Sequence, residues 1–340
     1  MSEYSISLIQ DAPTLAVIVP AWETLWHRDP GAMPFQSPHW LIEWWRAFAP
    51  GALSTVAVWR GEHLVGLAPF YIEDSARGRR LLPLGISASD YLDVLIEPAC
   101  FEIVAEALVN QLTSRDSDWD VCELNELAPD ANALRLPGPT NWSDAVETSQ
   151  SCPVLALPKR AEELRSVVPR RKLRNIRMSW NRAARRGKAE IITAAPDQAQ
   201  AFLNELIRLH QMRWESRGET GVLADGRVRS FHENAMPLMV EADLVRLYGL
   251  AIDGHMVAVY YGFLHSGRAF GYLHGFDPNY EFESPGTILI AHAIEQAIRE
   301  GAREFHFLRG RESYKYGWGA EDRWNRCRTY CRAAEFADAC

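Results

Sequence analysis

The sequence lacks any apolar run of the roughly eighteen residues that a membrane-spanning helix needs. Residues Met1 to Pro13 also lack a basic start followed by an apolar stretch, so no secretory leader is read there. A soluble, cytoplasmic chain is the expectation. The six cysteines, Cys100, Cys122, Cys152, Cys327, Cys331 and Cys340, lack the close paired spacings of a zinc site or a secreted disulfide scaffold. Reduced thiols and no bound metal follow. Cys327 and Cys331 are the one near pair, and the alternation from Trp324 to Cys331 puts both on one strand face as packing. No long heptad array is present. A net charge of −8 argues against broad nucleic-acid affinity.

With 340 residues, 47% of them hydrophobic, the chain is long for one core and rich enough to bury two. One supersecondary unit occurs twice. Val56 to Ile72 reads VAVWRGEHLVGLAPFYI and Leu247 to Leu264 reads LYGLAIDGHMVAVYYGFL, two hairpins turning at Arg60-Gly61 and Asp253-Gly254. With a one-residue gap, His63 falls on His255, Leu64 on Met256 and Val65 on Val257. Helical patterns precede both hairpins. The first has Ser37 as cap, Pro38 in its first turn and an aromatic face of Trp40, Leu41, Trp44, Trp45 and Phe48. The second runs from Pro196 to Arg217, with Phe202, Leu206 and Leu209 facing a core, Trp214 beside them, and His210, Arg213 and Arg217 available to line a cleft.

Beyond the second hairpin the order is strand (Ala269 to Phe276), turn (Asp277 to Ser284), helix (Pro285 to Glu300, with Ser284 as cap and Gly301 as stop) and strand (Glu304 to Leu308). Asp277 before Pro278 reads as turn chemistry. The expected fold class is α/β, with mixed, largely antiparallel sheets and flanking helices. The expected domains are 1–155, a basic helical connector 156–190, and 191–340. Between Lys159 and Lys188, twelve Lys and Arg face only Glu162 and Glu163, with charges that surround the helix more than they form one stripe. Such a segment suits solvent, phosphate groups or an anionic membrane surface.

The stretches LHQMRWESRG (Leu209 to Gly218), GFDPNYEFESPGTIL (Gly275 to Leu289) and FHFLRGRESYKYGWG (Phe305 to Gly319) resemble the BioF2-like/CelD-like GNAT-fold acetyltransferase family. That family is associated with polysaccharide or lipid biosynthesis and is akin to the Fem-type aminoacyltransferases, which also contain two GNAT-like halves. The resemblance is strong in the second half and weak in the first, through FQSPHWLIEWWRAF and LVGLAPFYI. It implies a tandem pair of GNAT-like domains, the first structural and the second catalytic. Two positions depart from the pattern: His306 and Arg311 stand where acidic residues are usual.

The resemblance further implies a coenzyme A thioester as acyl donor, lying between two splayed strands. Its pyrophosphate would meet the backbone of Ser284, Gly286 and Thr287 at a helix N-terminus, although the usual glycine-rich signature is missing. Four residues divide the catalytic roles. His274 would accept a proton near neutral pH, and Lys315, similar to the lysine of the Fem-type FK motif, would place charge near the reacting carbonyl. Tyr314 would give a proton to the leaving thiolate, and Glu312 would pair with Arg309 to hold a loop or bind substrate. Substrate contacts are assigned to Arg309, His210, Arg213, Arg217, Arg171 and Arg174. The sequence carries no Ser-His-Asp order or Cys-His signature, which favours direct transfer over an acyl-enzyme.

The expected reaction is N-acylation of an amine on a cell-envelope glycan precursor or a long-chain lipid amine, as in ceramide synthesis, with peripheral membrane contact through 159–188. Two alternatives stay open: Fem-type transfer from aminoacyl-tRNA, and a catalytically silent binding protein. Acyl length, acceptor identity and oligomeric state are not encoded in any motif.

Overall fold

A computed structural model describes residues 3–76, 78–114, 118–140 and 142–332. The chain forms two compact units, Met1–Gln150 with Arg323–Cys340, and Ser151–Asp322. Each is a mixed α/β unit with mostly antiparallel strands.

In the first unit, strands Tyr4–Ile9, Thr55–Arg60, His63–Ala68 and Leu95–Ile96 pair in that order, antiparallel throughout. A second set, Ala52–Leu53, Phe70–Ser75, Gly78–Pro83 and Val121–Leu127, adds one parallel pairing between its last two members. The expected aromatic face on helix Pro38–Phe48 is buried, with Trp40 fully enclosed. Three buried indoles here find acceptors, since an unpaired N–H is costly in a dry core. Trp22 donates to the Gln36 carbonyl at 3.0 Å, Trp26 to Met33 at 2.8 Å and Trp40 to the Ser89 hydroxyl at 3.0 Å. Ser37 stands at the helix N-cap, but its hydroxyl donates back to the Pro34 carbonyl instead of capping.

The second unit carries the other hairpin, Val245–Ile252 with His255–His265, in a sheet whose order runs Ala189–Thr193, Val245–Ile252, His255–His265, Arg268–Phe276, Glu304–His306 and then residues 151–156. The two hairpins have the same register. Arg60 pairs His63 and Ile252 pairs His255, and each ladder slips by one residue just before the turn, at Val58/Trp59 and at Leu250/Ala251. The sequence alignment of His63 with His255 is therefore an alignment of structure. Asp253 and Gly254 both have positive φ, 50° and 79°, the backbone that a two-residue hairpin turn requires.

Helices cover both faces of this sheet. Tyr248, Leu250, Ile252 and Tyr260 pack in one core with helix Pro285–Arg299 and the inner side of helix Arg170–Arg186. The opposite face carries helices Ala199–Glu215 and Gly226–Glu241. There Gly275 permits a close approach: a Cβ would lie 2.8 Å from the His210 amide nitrogen and 3.1 Å from the Leu206 carbonyl. The basic segment thus folds within the second unit, and the strand Glu321–Arg332 enters the first, pairing Arg326 to Cys331 with Val121–Leu127.

Cys100, Cys122, Cys152 and Cys327 are free thiols, whereas Cys331 is disulfide-bonded, which corrects the expectation of all-reduced cysteines. Its sequence neighbour Cys327 is out of reach, since four residues along a strand span about 13 Å. No helix among the described residues is long and apolar enough to cross a membrane.

Candidate active site

Strand Arg268–Phe276 and strand Glu304–His306 are parallel neighbours for only three pairs, Arg268 with Glu304, Ala269 with Phe305 and Phe270 with His306. The nine-residue first strand then continues beside His255–His265, while the other chain leaves it. Phe307 donates to the Pro153 carbonyl at 2.9 Å and Gly310 to Ser151 at 3.1 Å, so residues 307–310 follow their other neighbour. Leu308 takes φ of 60°, unusual for a branched side chain and strained, at the point of departure. A V-shaped gap results, one arm running from Gly271 to Phe276 and the other from Phe307 to Gly310.

A β-bulge aims the first arm's side chains. Tyr261 pairs Leu273 and Gly262 pairs Gly271, which leaves Tyr272 as an extra residue. Ala269 belongs to the core under helix Pro285–Arg299, so strict alternation would send His274 to the opposite face. The extra residue reverses that. His274 pairs Tyr260, which lies in the same core, and its ring approaches the helix start: a Cβ on Gly286 would sit 4.0 Å from His274 Cδ2.

Tyr314 spans the gap. Its ring lies edge-on to His274 on one arm, 6.1 Å between centroids, and edge-on to Phe307 on the other, 6.4 Å. Burial, reinforced by Glu312, pushes its phenol above the usual value despite an opposing pull from Arg213, so it stays protonated. Arg213 stands at the mouth, its guanidinium 4.7 Å over the Phe276 ring with Nε buried and without a hydrogen-bond partner. Burial and nearby Arg217 lower its pKa, while Tyr314 and Glu281 work the other way. No carboxylate within the described residues forms an ion pair with it, so its positive charge is available to a ligand.

Three expected roles change on this geometry. Desolvation first, then Arg213, His210 and Lys315, outweigh Glu312 and bring His274 down to about 4, well below the near-neutral base read from the sequence. Lys315 is 2% exposed, and its ammonium donates to the carbonyls of Leu308, Arg309 and Gly310 at 3.1, 2.6 and 3.1 Å. All three protons are committed to the loop. Glu312 pairs with that same Lys315 at 2.9 Å, in place of the expected Arg309.

His210 is 4% exposed and accepts from the Trp214 indole at 2.9 Å, which makes it packing behind the strand. Burial, with Arg213, lowers it to about 4. Arg217 is exposed, 6.0 Å over the Trp214 ring. Arg171 and Arg174 lie on the exposed side of helix Arg170–Arg186, away from these groups in sequence and contact. His306 is fully buried, 3.1 Å from Glu304 and against Phe270, and Arg311 pairs with Asp322 at 3.3 Å.

Ser284 occupies the N-cap of helix Pro285–Arg299 in a left-handed conformation, φ 53°, and its side chain makes no capping bond. Thr287 N–H turns back to the Ser284 carbonyl at 3.0 Å and Pro285 has no N–H, so Gly286 supplies the remaining outward donor of the first turn. Asp277 accepts from the Asn279 amide at 2.9 Å, the turn bond its Asp-Pro sequence predicts. Among the described residues no group of His, Cys, Asp and Glu could hold a metal ion. A cavity of about 400 Å³ lies at the far end of helix Pro285–Arg299, bordered by Gln296 and Glu300. Its arginine is neutralised, since Arg246 pairs with Asp243 at 2.9 Å and Glu300 at 2.6 Å, and the V has the better chemistry.

Residues 170–316 match the sequence family described as Acetyltransferase (GNAT) domain. No curated protein matches. Among solved structures, FemX superposes with a TM-score of 0.69 at 11% identity, over 95% of this chain and 96% of that one. L-PGS from Bacillus licheniformis gives 0.59 at 12%, over 92% and 91%, and the C-terminal domain of a putative lysylphosphatidylglycerol synthetase from Agrobacterium fabrum gives 0.57 at 12%, over 96% and 93%. Splayed strands, a helix start at their opening and this family match make the protein a GNAT-type acyltransferase. The family match lies in residues 170–316, and the likeness to FemX over nearly the whole chain is one of fold.

Proposed function

We propose that the protein transfers an acyl group from a coenzyme A thioester to an amine of a cell-envelope glycan precursor or a long-chain lipid. The observation that carries this reading is the V between Gly271–Phe276 and Phe307–Gly310, with His274, Tyr314, Arg213 and the Gly286 amide around it. A gap between two diverging strand arms, crossed by the Tyr314 ring, suits an extended thioester arm. The single helix-start amide and the unpaired Arg213 charge supply attraction for an anionic donor. The fit at the helix start is modest, because only one outward amide is available there.

In this scheme the amine nitrogen attacks the thioester carbon, the carbon–sulfur bond breaks, and the amine loses one proton as the thiolate gains one. Tyr314, held protonated, delivers that proton to sulfur and regains one from solvent. His274, neutral above about pH 4, accepts a hydrogen bond from the incoming amine and orients it, passing the released proton to solvent. Arg213 opposes the negative charge that develops on the carbonyl oxygen. Lys315 fixes the loop that presents Tyr314. The first unit, which shares the hairpin but not the LRG-x-E-x-YK segment, is the structural copy.

The test is free-thiol release from acetyl, medium-chain and long-chain coenzyme A esters in the presence of amino sugars or long-chain amines. Amine-dependent release with formation of the amide supports the proposal. Release with no donor of this class, across acyl lengths and acceptors, overturns it. Transfer from aminoacyl-tRNA is the second reading, favoured by the FemX likeness across nearly the whole chain. Amide formation from charged tRNA and not from coenzyme A esters would select it.

A further inference from the structure

Helix Arg170–Arg186 carries a charge arrangement that acyl transfer does not use. Its inner side is committed to the core: Ser179 and Ala183 are buried, Leu173, Ile176 and Trp180 pack inward, and Lys172 lies 4.2 Å over the Trp318 ring. On its outer side Arg170, Arg171, Arg174, Arg177 and Arg185 are all exposed. At 100° per residue they share an arc of about 120°. The charges therefore form one stripe, where the sequence suggested that they surround the helix. None of these five has a hydrogen-bond or ion-pair partner among the described residues. Like charges one turn apart repel, so the stripe is a cost to the isolated fold.

Apolar side chains sit among these cations. Met178, within the arc, is 41% exposed, and Phe282 is 69% exposed. Phe282 is held against this helix: the Arg182 guanidinium lies 4.3 Å over its ring and donates to its carbonyl at 3.0 Å. Arg186 lies 5.1 Å over Tyr280 in the same turn. The turn Pro278–Glu283 is thus fastened to the basic helix just before the chain enters helix Pro285–Arg299.

We infer that this face docks the protein on an anionic lipid surface, its arginines at headgroup phosphates and Met178 and Phe282 in the interfacial layer. Charge complementarity draws the stripe to any polyanion, and the apolar pair chooses between them. Met178 and Phe282 gain free energy by leaving water for a lipid interface and gain nothing along a phosphate backbone. A single-stranded nucleic acid would instead need a groove and a row of open aromatic faces, and Arg182 already covers one face of the Phe282 ring. Docking would bring the Gly286 helix start, four residues after Phe282, close to headgroup level, where a lipid-borne amine reaches the V. That last step rests on the acyl-transfer reading; the docking does not.

Cosedimentation with phosphatidylcholine vesicles, with and without phosphatidylglycerol, tests the docking, beside fluorescence titration with an oligouridylate. The expected result is salt-sensitive binding to the anionic vesicles alone. Charge reversal in R171E/R174E/R185E lowers it by at least about 100-fold, the loss of each arginine near the surface alone counting about fivefold. Phe282→Ala weakens binding by roughly tenfold with the salt dependence unchanged. An unchanged melting temperature shows that both variants are folded. Absence of wild-type binding to anionic vesicles, equal binding to neutral ones, retention of binding after charge reversal, or arginine-dependent binding to the oligouridylate alone would each overturn the inference. Thiol release with a water-soluble amine is read separately, so loss of docking and loss of catalysis are distinguishable.

Discussion

Replacing Lys315 by methionine separates a structural lysine from a catalytic one. The substitution keeps the length of the side chain and removes the ammonium that holds the carbonyls of Leu308, Arg309 and Gly310. Hydrogen bonds to a charged donor contribute about 1.5–3 kcal/mol each in favourable settings, and a buried acceptor left unmade costs about 1–3 kcal/mol. Arg309 and Gly310 are only half-buried, so water recovers part of this, and a net loss of about 3 kcal/mol is expected. The Glu312 ion pair adds less than about 1 kcal/mol because Glu312 is exposed. For a domain of about 150–250 residues each kcal/mol moves the melting temperature by about 2–4 °C, which gives a fall of roughly 6–12 °C. Thermal unfolding by circular dichroism measures it, with thiol release below the transition as the companion assay. A melting temperature within a degree of wild type, together with abolished turnover of the folded enzyme, would refute this reasoning and return Lys315 to the reacting carbonyl.

Tyr314→Phe should lower kcat by about 100-fold with little change in melting temperature, the usual worth of a positioned proton donor; unchanged kcat would remove that role. Arg213→Ala should lower kcat/KM by roughly 10²-fold, and Arg213→Lys should recover only part of it, since an ammonium lacks the planar spread that stacks on Phe276. Acid should destabilise the fold through buried histidines. Burial lowers His232 to about 3 and, with Arg213, His210 to about 4, against 6.5 for the unfolded chain. The unfolded state then binds more protons below pH 6.5, so the stability these groups contribute is present above that pH and lost as pH falls toward 4. At about 1.4 kcal/mol per pH unit per group, urea denaturation should show a loss of roughly 4 kcal/mol between pH 6.5 and 4.5 from the two together. His274, lowered to about 4 as well, adds a similar loss, so in His232→Phe the slope should fall by about a third; an identical slope would contradict the assignment.

Much of the scaffold is legible from the chain itself. Arg60-Gly61 and Asp253-Gly254 mark two turns, and the gapped alignment across them puts His63 on His255, as the ladders do. Ser-Pro-Gly locates the helix start and Asp277-Pro278 the preceding turn. The site itself is less legible because it depends on departures from periodicity. Nothing in the Tyr272-Leu273-His274 sequence signals that Tyr272 is an extra residue, yet that bulge decides which face His274 occupies. Lys315 and Tyr314 are adjacent in sequence, and a motif cannot say that one turns inward to backbone carbonyls while the other crosses the gap. The arginine stripe is hidden in the sequence for a related reason. Twelve basic residues look evenly spread until packing draws Lys172 and Arg182 out of the exposed set and lays Arg186 over Tyr280.

The central claim is that the V between the two strand arms receives the acyl donor. Amide hydrogen exchange with and without a non-hydrolysable coenzyme A thioester analogue tests it directly, because every arm has its own backbone reporters. Slower exchange confined to residues 271–276, the 286–288 helix start and 307–315 is the predicted result. Protection that appears elsewhere in the second unit, such as the cavity beside Gln296 and Glu300, with these three segments unchanged, would contradict it.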